Sequence, residues 1–219
     1  MDKILFIGNS YTFFNDMPKL FEALANENEH KCEVISVTKG GRRLIENIEK
    51  DDDFAYSVKY CAKNDNYDVL FLQDQSLIAI DDPENFERGI AAHTELFSAK
   101  RKILYATWGR KEGSDKLAER SLTSYEMTDK LAAAYNALAS KLSVEVSNVG
   151  LAFKYVTKNY PNINLYNPDL SHPSYEGSCL AALMHYKTVY GEIPEKLSSL
   201  KLEKSIEKYL IAAVETNFN

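Results

Sequence analysis

The 219-residue sequence predicts an α/β fold, a three-layer α/β/α sandwich with about five parallel strands, in one domain spanning residues 1–219. Two observations predict it. Short apolar runs recur with helical periodicities between them, which is the signature of βα units and a parallel sheet. Each run also ends in a polar or glycine-containing turn, and in a parallel sheet such turns gather on one edge.

The first run, residues 4–7, is apolar throughout, as a strand buried on both faces should be. Gly8-Asn9-Ser10 breaks it. Asp16 then offers a helix N-cap, with Pro18 behind it and an apolar stripe through Leu20, Phe21 and Leu24. A second strand over 33–37 ends at Gly40-Gly41. Helical patterns follow at Leu44, Ile45 and Ile48, then over 54–61 after the acidic cap Asp51-Asp52-Asp53. A third strand over 68–72 runs into Gln73-Asp74-Gln75-Ser76, and Asp82-Pro83 opens a helix carrying Phe86, Ile90 and Phe97. A fourth over 102–107 ends in Trp108-Gly109-Arg110. A long helix with Met127, Leu131, Leu138 and Leu142 leads to a fifth strand over 144–149, and a helix through Tyr155 and Val156 follows. An Asn- and Pro-rich loop over 159–173 precedes a helix over 174–190 and a last amphipathic helix with Ile206, Leu210 and Ala213. There is no internal repeat and no linker.

Composition narrows the function. The apolar fraction is 45% and the charged fraction 26%, ordinary for a soluble globular protein. A net charge of −6 argues against nucleic acid as a partner. Cys32, Cys61 and Cys179 lack any C-x-x-C spacing and read as small buried residues. His30, His93 and His185 are scattered and read as surface or core residues, so no metal and no cofactor is expected. No apolar segment is long enough to span a membrane, and the chain as given reads as cytoplasmic, unless a secretion signal has been trimmed from it. Composition does not address oligomeric state.

Chemistry concentrates at the sheet edge. Ser10 is delivered to the end of the first strand, where open α/β sheets bind ligands. Asp169 and His172 lie three apart in a loop, so a carboxylate can reach one imidazole nitrogen while the other faces outward. Pro173 biases His172 away from helical geometry. A nucleophilic serine needs a base and a group that orients the base, and these three residues can fill those roles. Donors for a developing oxyanion could come from the Ser10 and Gly41 N–H groups and an amide of Gln73 or Gln75. Asn9, Tyr11, Trp108 and Arg110 are candidate substrate contacts, although Tyr11, Phe13 and Phe14 also suit a core and Gly40-Gly41 a plain tight turn.

Taken together, G-N-S-Y-T, the G-G turn, L-Q-D-Q-S, Y-A-T-W and D-L-S-H-P-S resemble the blocks of the SGNH (GDSL-like) hydrolases, over residues 3 to about 190. The resemblance is nearest to a bacterial branch with G-N-S-x-T in place of G-D-S. It implies a flavodoxin-like fold and ester hydrolysis, commonly removing acyl groups from carbohydrates or lipids. By motif match Ser10 would be the nucleophile, His172 the base, Asp169 its orienter and Gly41 (or Gly40) the second-block donor. Two departures stand out: Asn9 replaces the usual Asp, and Gln75 falls where the third block has Asn. The favoured reading is a metal-independent serine esterase that removes O-acyl groups, acetyl first, from a carbohydrate through an acyl-enzyme, and the expected partner is a small-molecule or carbohydrate ester. A lipase- or thioesterase-like hydrolase and a non-catalytic anion- or nucleotide-binding module are the competing readings. The sequence lacks G-x-x-x-x-G-K-[ST], G-x-G-x-x-G and G-x-S-x-G, the marks of phosphate-binding folds and of the α/β-hydrolase elbow.

Overall fold

The computed structural model describes residues 1–217. In chain order the elements are β1 (Asp2–Gly8), α1 (Ser10–Phe13), α2 (Met17–Glu27), β2 (Cys32–Thr38), α3 (Leu44–Glu49), α4 (Asp53–Asn64), β3 (Tyr67–Leu72), α5 (Ile78–Asp81) and α6 (Pro83–Leu96). The second half adds β4 (Ala99–Tyr105), α7 (Asp115–Ala118), α8 (Ser124–Leu142), β5 (Glu145–Ser147), α9 (Val149–Asn159), α10 (Tyr175–Tyr190) and α11 (Lys204–Thr216). All strand pairs are parallel, in one sheet of order β2-β1-β3-β4-β5. Chain direction across the sheet therefore reverses between β1 and β3. Open α/β sheets bind ligands at such a switch point, beyond the carboxyl ends of the strands.

Strand alternation divides the core in two. Ile4, Phe6, Phe71, Ile103 and Tyr105 face α2, α9, α10 and α11. Leu5, Ile7, Leu70, Leu72 and Leu104 face α3 to α6 and α8. Central strands are thus apolar on both faces, which is why residues 4–7 show no alternation. Phe6 anchors the first layer: its ring stacks on Phe71 at 4.4 Å and 2°, and meets Phe21 edge-on at 5.8 Å. Among the described residues no helix is long and apolar enough to cross a membrane.

Three local expectations are corrected. The fifth strand is only Glu145–Ser147, because Asn148 leaves the extended region and Val149 begins α9. Val149 is apolar because a helix buries it, not because the strand continues. The fourth strand starts earlier, at Ala99, since its basic first half still pairs with β3 and Arg101 grips Glu145 of β5. Asp16 precedes α2 but makes no side-chain cap; it and Asn15 both sit at positive φ, near 54°. Asn and Asp tolerate that region better than other non-glycine residues. The acidic run behaves as expected at Asp52, whose carboxylate accepts from the Ala55 N–H at the start of α4. Cys32 and Cys179 are buried and Cys61 partly so, all as free thiols.

Phe6→Ala is expected to lower unfolding free energy by about 3–5 kcal/mol, because it removes a ring wedged between sheet and helix. Denaturant titration checks this, and a loss below about 1 kcal/mol would mean that the layer repacks without it.

Candidate active site

The β1 turn is shaped by close packing. A Cβ on Gly8 would lie 2.4 Å from Thr12 Oγ1 and 2.6 Å from Gln73 Oε1, so only glycine fits there. Asn9 N-caps α1: its Oδ1 accepts from the Tyr11 N–H at 3.2 Å, and its Nδ2 donates to the Arg42 carbonyl at 3.1 Å. Ser10, half-buried, is the first residue of α1, so its N–H has no acceptor within the helix.

Ser10 Oγ lies 2.8 Å from His172 Nε2, and His172 Nδ1 lies 2.5 Å from Asp169 Oδ2. The other oxygen, Oδ1, accepts from the backbone N–H groups of Ser171 at 3.0 Å and His172 at 2.9 Å. An ionised carboxylate can only accept, so Nδ1 carries the imidazole proton and Nε2 presents its lone pair to the serine hydroxyl. Partial burial pushes the Asp169 carboxyl up. The hydrogen bonds from the His172 ring and the two N–H groups outweigh it, and the net effect lies below the usual range. The three residues that the sequence singles out, 162 apart at the extremes, are brought into one hydrogen-bonded line.

Aromatic packing sets the His172 ring. Phe14 stacks on it at 4.2 Å and 8°, a contact for which an aromatic in a turn gives no sequence signal. Asn15 Nδ2 donates to the carbonyls of Pro173 and Ser174 and to Ser178 Oγ, tying the serine turn to the histidine loop. Tyr11 Oη shares a hydrogen bond with Ser171 Oγ at 2.8 Å, and Trp108 Nε1 donates to the Ser171 carbonyl at 3.1 Å. Trp108 is fully buried between Tyr11 and Phe153, stacked on the latter at 3.9 Å and 2°.

These contacts correct part of the expected substrate surface. Trp108, Asn9 and Tyr11 are 0, 2 and 4% exposed, and their polar atoms are spent on the protein. They position the site rather than face a ligand. Of the four candidates Arg110 alone is partly exposed; its Nη2 donates to Ser76 Oγ at 2.9 Å and its guanidinium lies 5.7 Å from the Tyr11 ring.

The two glutamines separate clearly. Gln73 is buried, its Oε1 accepting from the Asn9 N–H at 2.8 Å and from Thr12 Oγ1 at 2.9 Å. One Nε2 hydrogen goes to the Asp74 carbonyl and the side chain is buried away from any ligand, so its expected part as an oxyanion donor is corrected. Gln75 is half-buried; its Oε1 accepts from the Leu77 N–H at 2.8 Å, and no described residue accepts from its Nε2. Beyond β2, Gly40 and Gly41 are exposed in a turn closed by Arg42 N–H to the Lys39 carbonyl, with Gly41 at φ 67°. Arg42 is buried and holds that turn through Asp52, Asn47 and the Glu46 carbonyl. The Ala55 N–H and the Arg42 guanidinium hold the Asp52 carboxyl down, at about 2.

No protein-family model and no curated protein matches the sequence. Solved structures do. A candidate SGNH hydrolase from Slackia heliotrinireducens is 27% identical, with TM-score 0.75, over 86% of this chain and 98% of its own. A DUF4886 family protein from Bacteroides uniformis is 16% identical, with TM-score 0.82, over 99% and 94% of the two chains. An acetyl xylan esterase, AlAXEase, is 17% identical, with TM-score 0.63, over 85% and 99%. The sheet order, the strand-end serine and these likenesses define one class of protein, an α/β hydrolytic enzyme of flavodoxin-like topology. The likeness to the Slackia protein supports the SGNH (GDSL-like) hydrolase superfamily, and the other two share its fold.

Asp74 shows how the third-block turn is held. Its Oδ1 accepts from the N–H groups of Leu44 and Gln75, its Oδ2 is buried without a partner, and burial pushes the carboxyl up to about 7. Below about pH 4 the group is neutral in folded and unfolded chains alike. As pH rises from there to about 7, only the unfolded chain ionises, and stability falls; above that it levels off. Asp74→Asn removes the ionisation, so its stability relative to the parent should rise across that window and then plateau. Thermal melts of both proteins between pH 4 and 8 check this; a pH-independent difference would contradict it.

Proposed function

We propose that this hydrolase is a serine esterase that removes short O-acyl groups, acetyl above all, from a carbohydrate through an acyl-enzyme. The observation that carries the reading is the Ser10–His172–Asp169 hydrogen-bond line at the carboxyl edge of β1. The similar acetyl xylan esterase, and a carbohydrate acetylesterase family member from Sinorhizobium meliloti with TM-score 0.60, favour a carbohydrate ester.

In this mechanism the Ser10 oxygen attacks the ester carbonyl carbon while its proton passes to His172 Nε2. Asp169 keeps the ring oriented and stabilises the imidazolium that forms. Negative charge builds on the carbonyl oxygen, where the Ser10 and Gly41 N–H groups and the Gln75 amide would donate. Collapse of the tetrahedral intermediate breaks the bond to the alcohol, which leaves with the proton from His172. Water, activated by the same imidazole, then attacks the acyl-serine and releases the acid. A neutral amide suits the third position because it stabilises developing charge without holding a ground-state anion.

A fluorophosphonate should add one adduct to the intact protein, mapped to the Ser10 peptide, and Ser10→Ala should abolish both the adduct and acetyl ester hydrolysis. An adduct on another serine, or none on folded protein, overturns the reading. Asp169→Asn should lower kcat by several orders of magnitude, about 10⁴-fold in the best-known triad, without loss of fold by circular dichroism.

The glutamines should diverge by type of defect. Gln75→Ala is expected to cut kcat by about a hundredfold with KM little changed. Gln73→Ala should instead lower the melting temperature, since it strips partners from the Asn9 N–H and Thr12 hydroxyl. Parent-like kcat in Gln75→Ala would leave the oxyanion to backbone donors alone.

A further inference from the structure

Of the six arginines in the chain, five are within ion-pair distance of a carboxylate: Arg42 with Asp52, Arg43 with Glu46 and Asp82, Arg88 with Glu49, Arg101 with Glu145, and Arg120 with Asp81 and Glu119. Arg110 has no such partner among the described residues, although it is half-buried. Its Nη2 reaches only the neutral Ser76 hydroxyl, and its Nε is buried with no acceptor at all. Burying one guanidinium N–H without an acceptor, on a side chain with no counter-charge, is costly, and an anion supplied from outside would offset it.

Its place gives the reason. Arg110 follows β4 on the same sheet edge as Ser10, and its guanidinium packs 5.7 Å from the Tyr11 ring, which lies 5.5 Å from the His172 ring. Tyr11 is fixed by Ser171, by Trp108 and by the Tyr105 hydroxyl on its carbonyl, so Arg110 is held at a set offset from the reacting atoms. The chain carries a net charge of −6, so its overall field does not draw anions in. A cation packed on the Tyr11 ring, itself next to the His172 ring, can act as a local recognition group. Its planar fork matches a carboxylate.

We infer that Arg110 is a specificity residue for a substrate carboxylate, and that the preferred substrate is an O-acyl ester of an acidic sugar. This rests on the esterase reading above and narrows its substrate class. In the bound complex a carboxylate on the alcohol portion would accept from a terminal N–H of the partly exposed guanidinium while Ser10 faces the acyl carbon.

The test compares mono-O-acetyl glucuronic acid, its neutral methyl ester and mono-O-acetyl glucose. The parent should hydrolyse the acid with kcat/KM at least about tenfold above both neutral esters, most of the difference lying in KM. That preference should shrink as salt is raised. Arg110→Gln should lose at least about tenfold more on the acid than on the neutral esters, and Arg110→Lys should recover part of the preference by keeping the charge. Equal rates on all three esters in a parent that still takes the fluorophosphonate would overturn this inference and leave the esterase standing. An equal loss on all three in both variants, with kcat affected, would overturn it in favour of a role at the oxyanion. Absence of both adduct and hydrolysis would remove the esterase reading itself. Should Arg110→Gln fail to fold, the parent's ester ratio and its salt dependence decide alone.

Discussion

The site depends on one buried carboxamide. Gln73 stands where the chain leaves β3, across the switch from β1, and its oxygen receives both the Asn9 N–H and the Thr12 hydroxyl. Those are the residues on either side of Ser10 and Tyr11. Because Gln73 sits at 1% exposure, neither bond competes with water, and losing the acceptor would leave two buried donors unsatisfied. Gly8 has to be glycine for the same reason, since any side chain would displace the Gln73 oxygen. The position of the serine is thus set by sheet topology: β1 and β3 are neighbours, and one amide joins their ends.

From that fixed point the histidine is reached through aromatics. His172 arrives on a loop before α10, and loops are the mobile parts of such folds. This one is restrained on several sides. Trp108 and Tyr11 hold Ser171, Phe14 covers the imidazole, Asn15 holds the backbone beyond it, and the Lys111 N–H donates to the Leu170 carbonyl. Leu170 accepts a positive φ of 59° within that network. The strain is local, and it lies between the two members of the pair that must keep their spacing.

Much of this was legible in the chain. Strand order aside, the parallel sheet follows from alternating runs, and Ser10, Asp169 and His172 stand out because a strand-end serine and a D-x-x-H-P loop are local patterns. What failed to be legible depends on packing from afar. Trp108 reads as a ligand platform because nothing near it announces that Phe153, from α9, will cover its face. Gln73 and Gln75 share a parity only while the chain is a strand, and β3 ends at Leu72, so one turns into the core and the other does not. Arg42 shows no sign of being the brace of the glycine turn, since its partner Asp52 lies in a run that reads as a solvated cap.

Charge placement around the crevice then follows a consistent logic. Arg42 and Asp52 neutralise each other behind the second turn, where a lone charge would distort the turn holding Gly41. Asp74, behind the third turn, has its carboxyl pushed up to about 7 by burial, so it is only partly ionised at neutral pH. Asp169 is ionised, yet it lies at the outer end of the imidazole, half-exposed, with the ring between it and Ser10. The Asp74 carboxyl is turned inward, where its Oδ1 accepts from the Leu44 and Gln75 N–H groups. In the proposed acyl transfer the imidazolium would form between the Asp169 carboxylate and Ser10, while the oxyanion would meet fixed dipoles at the strand ends. That order would let both charges be stabilised at once.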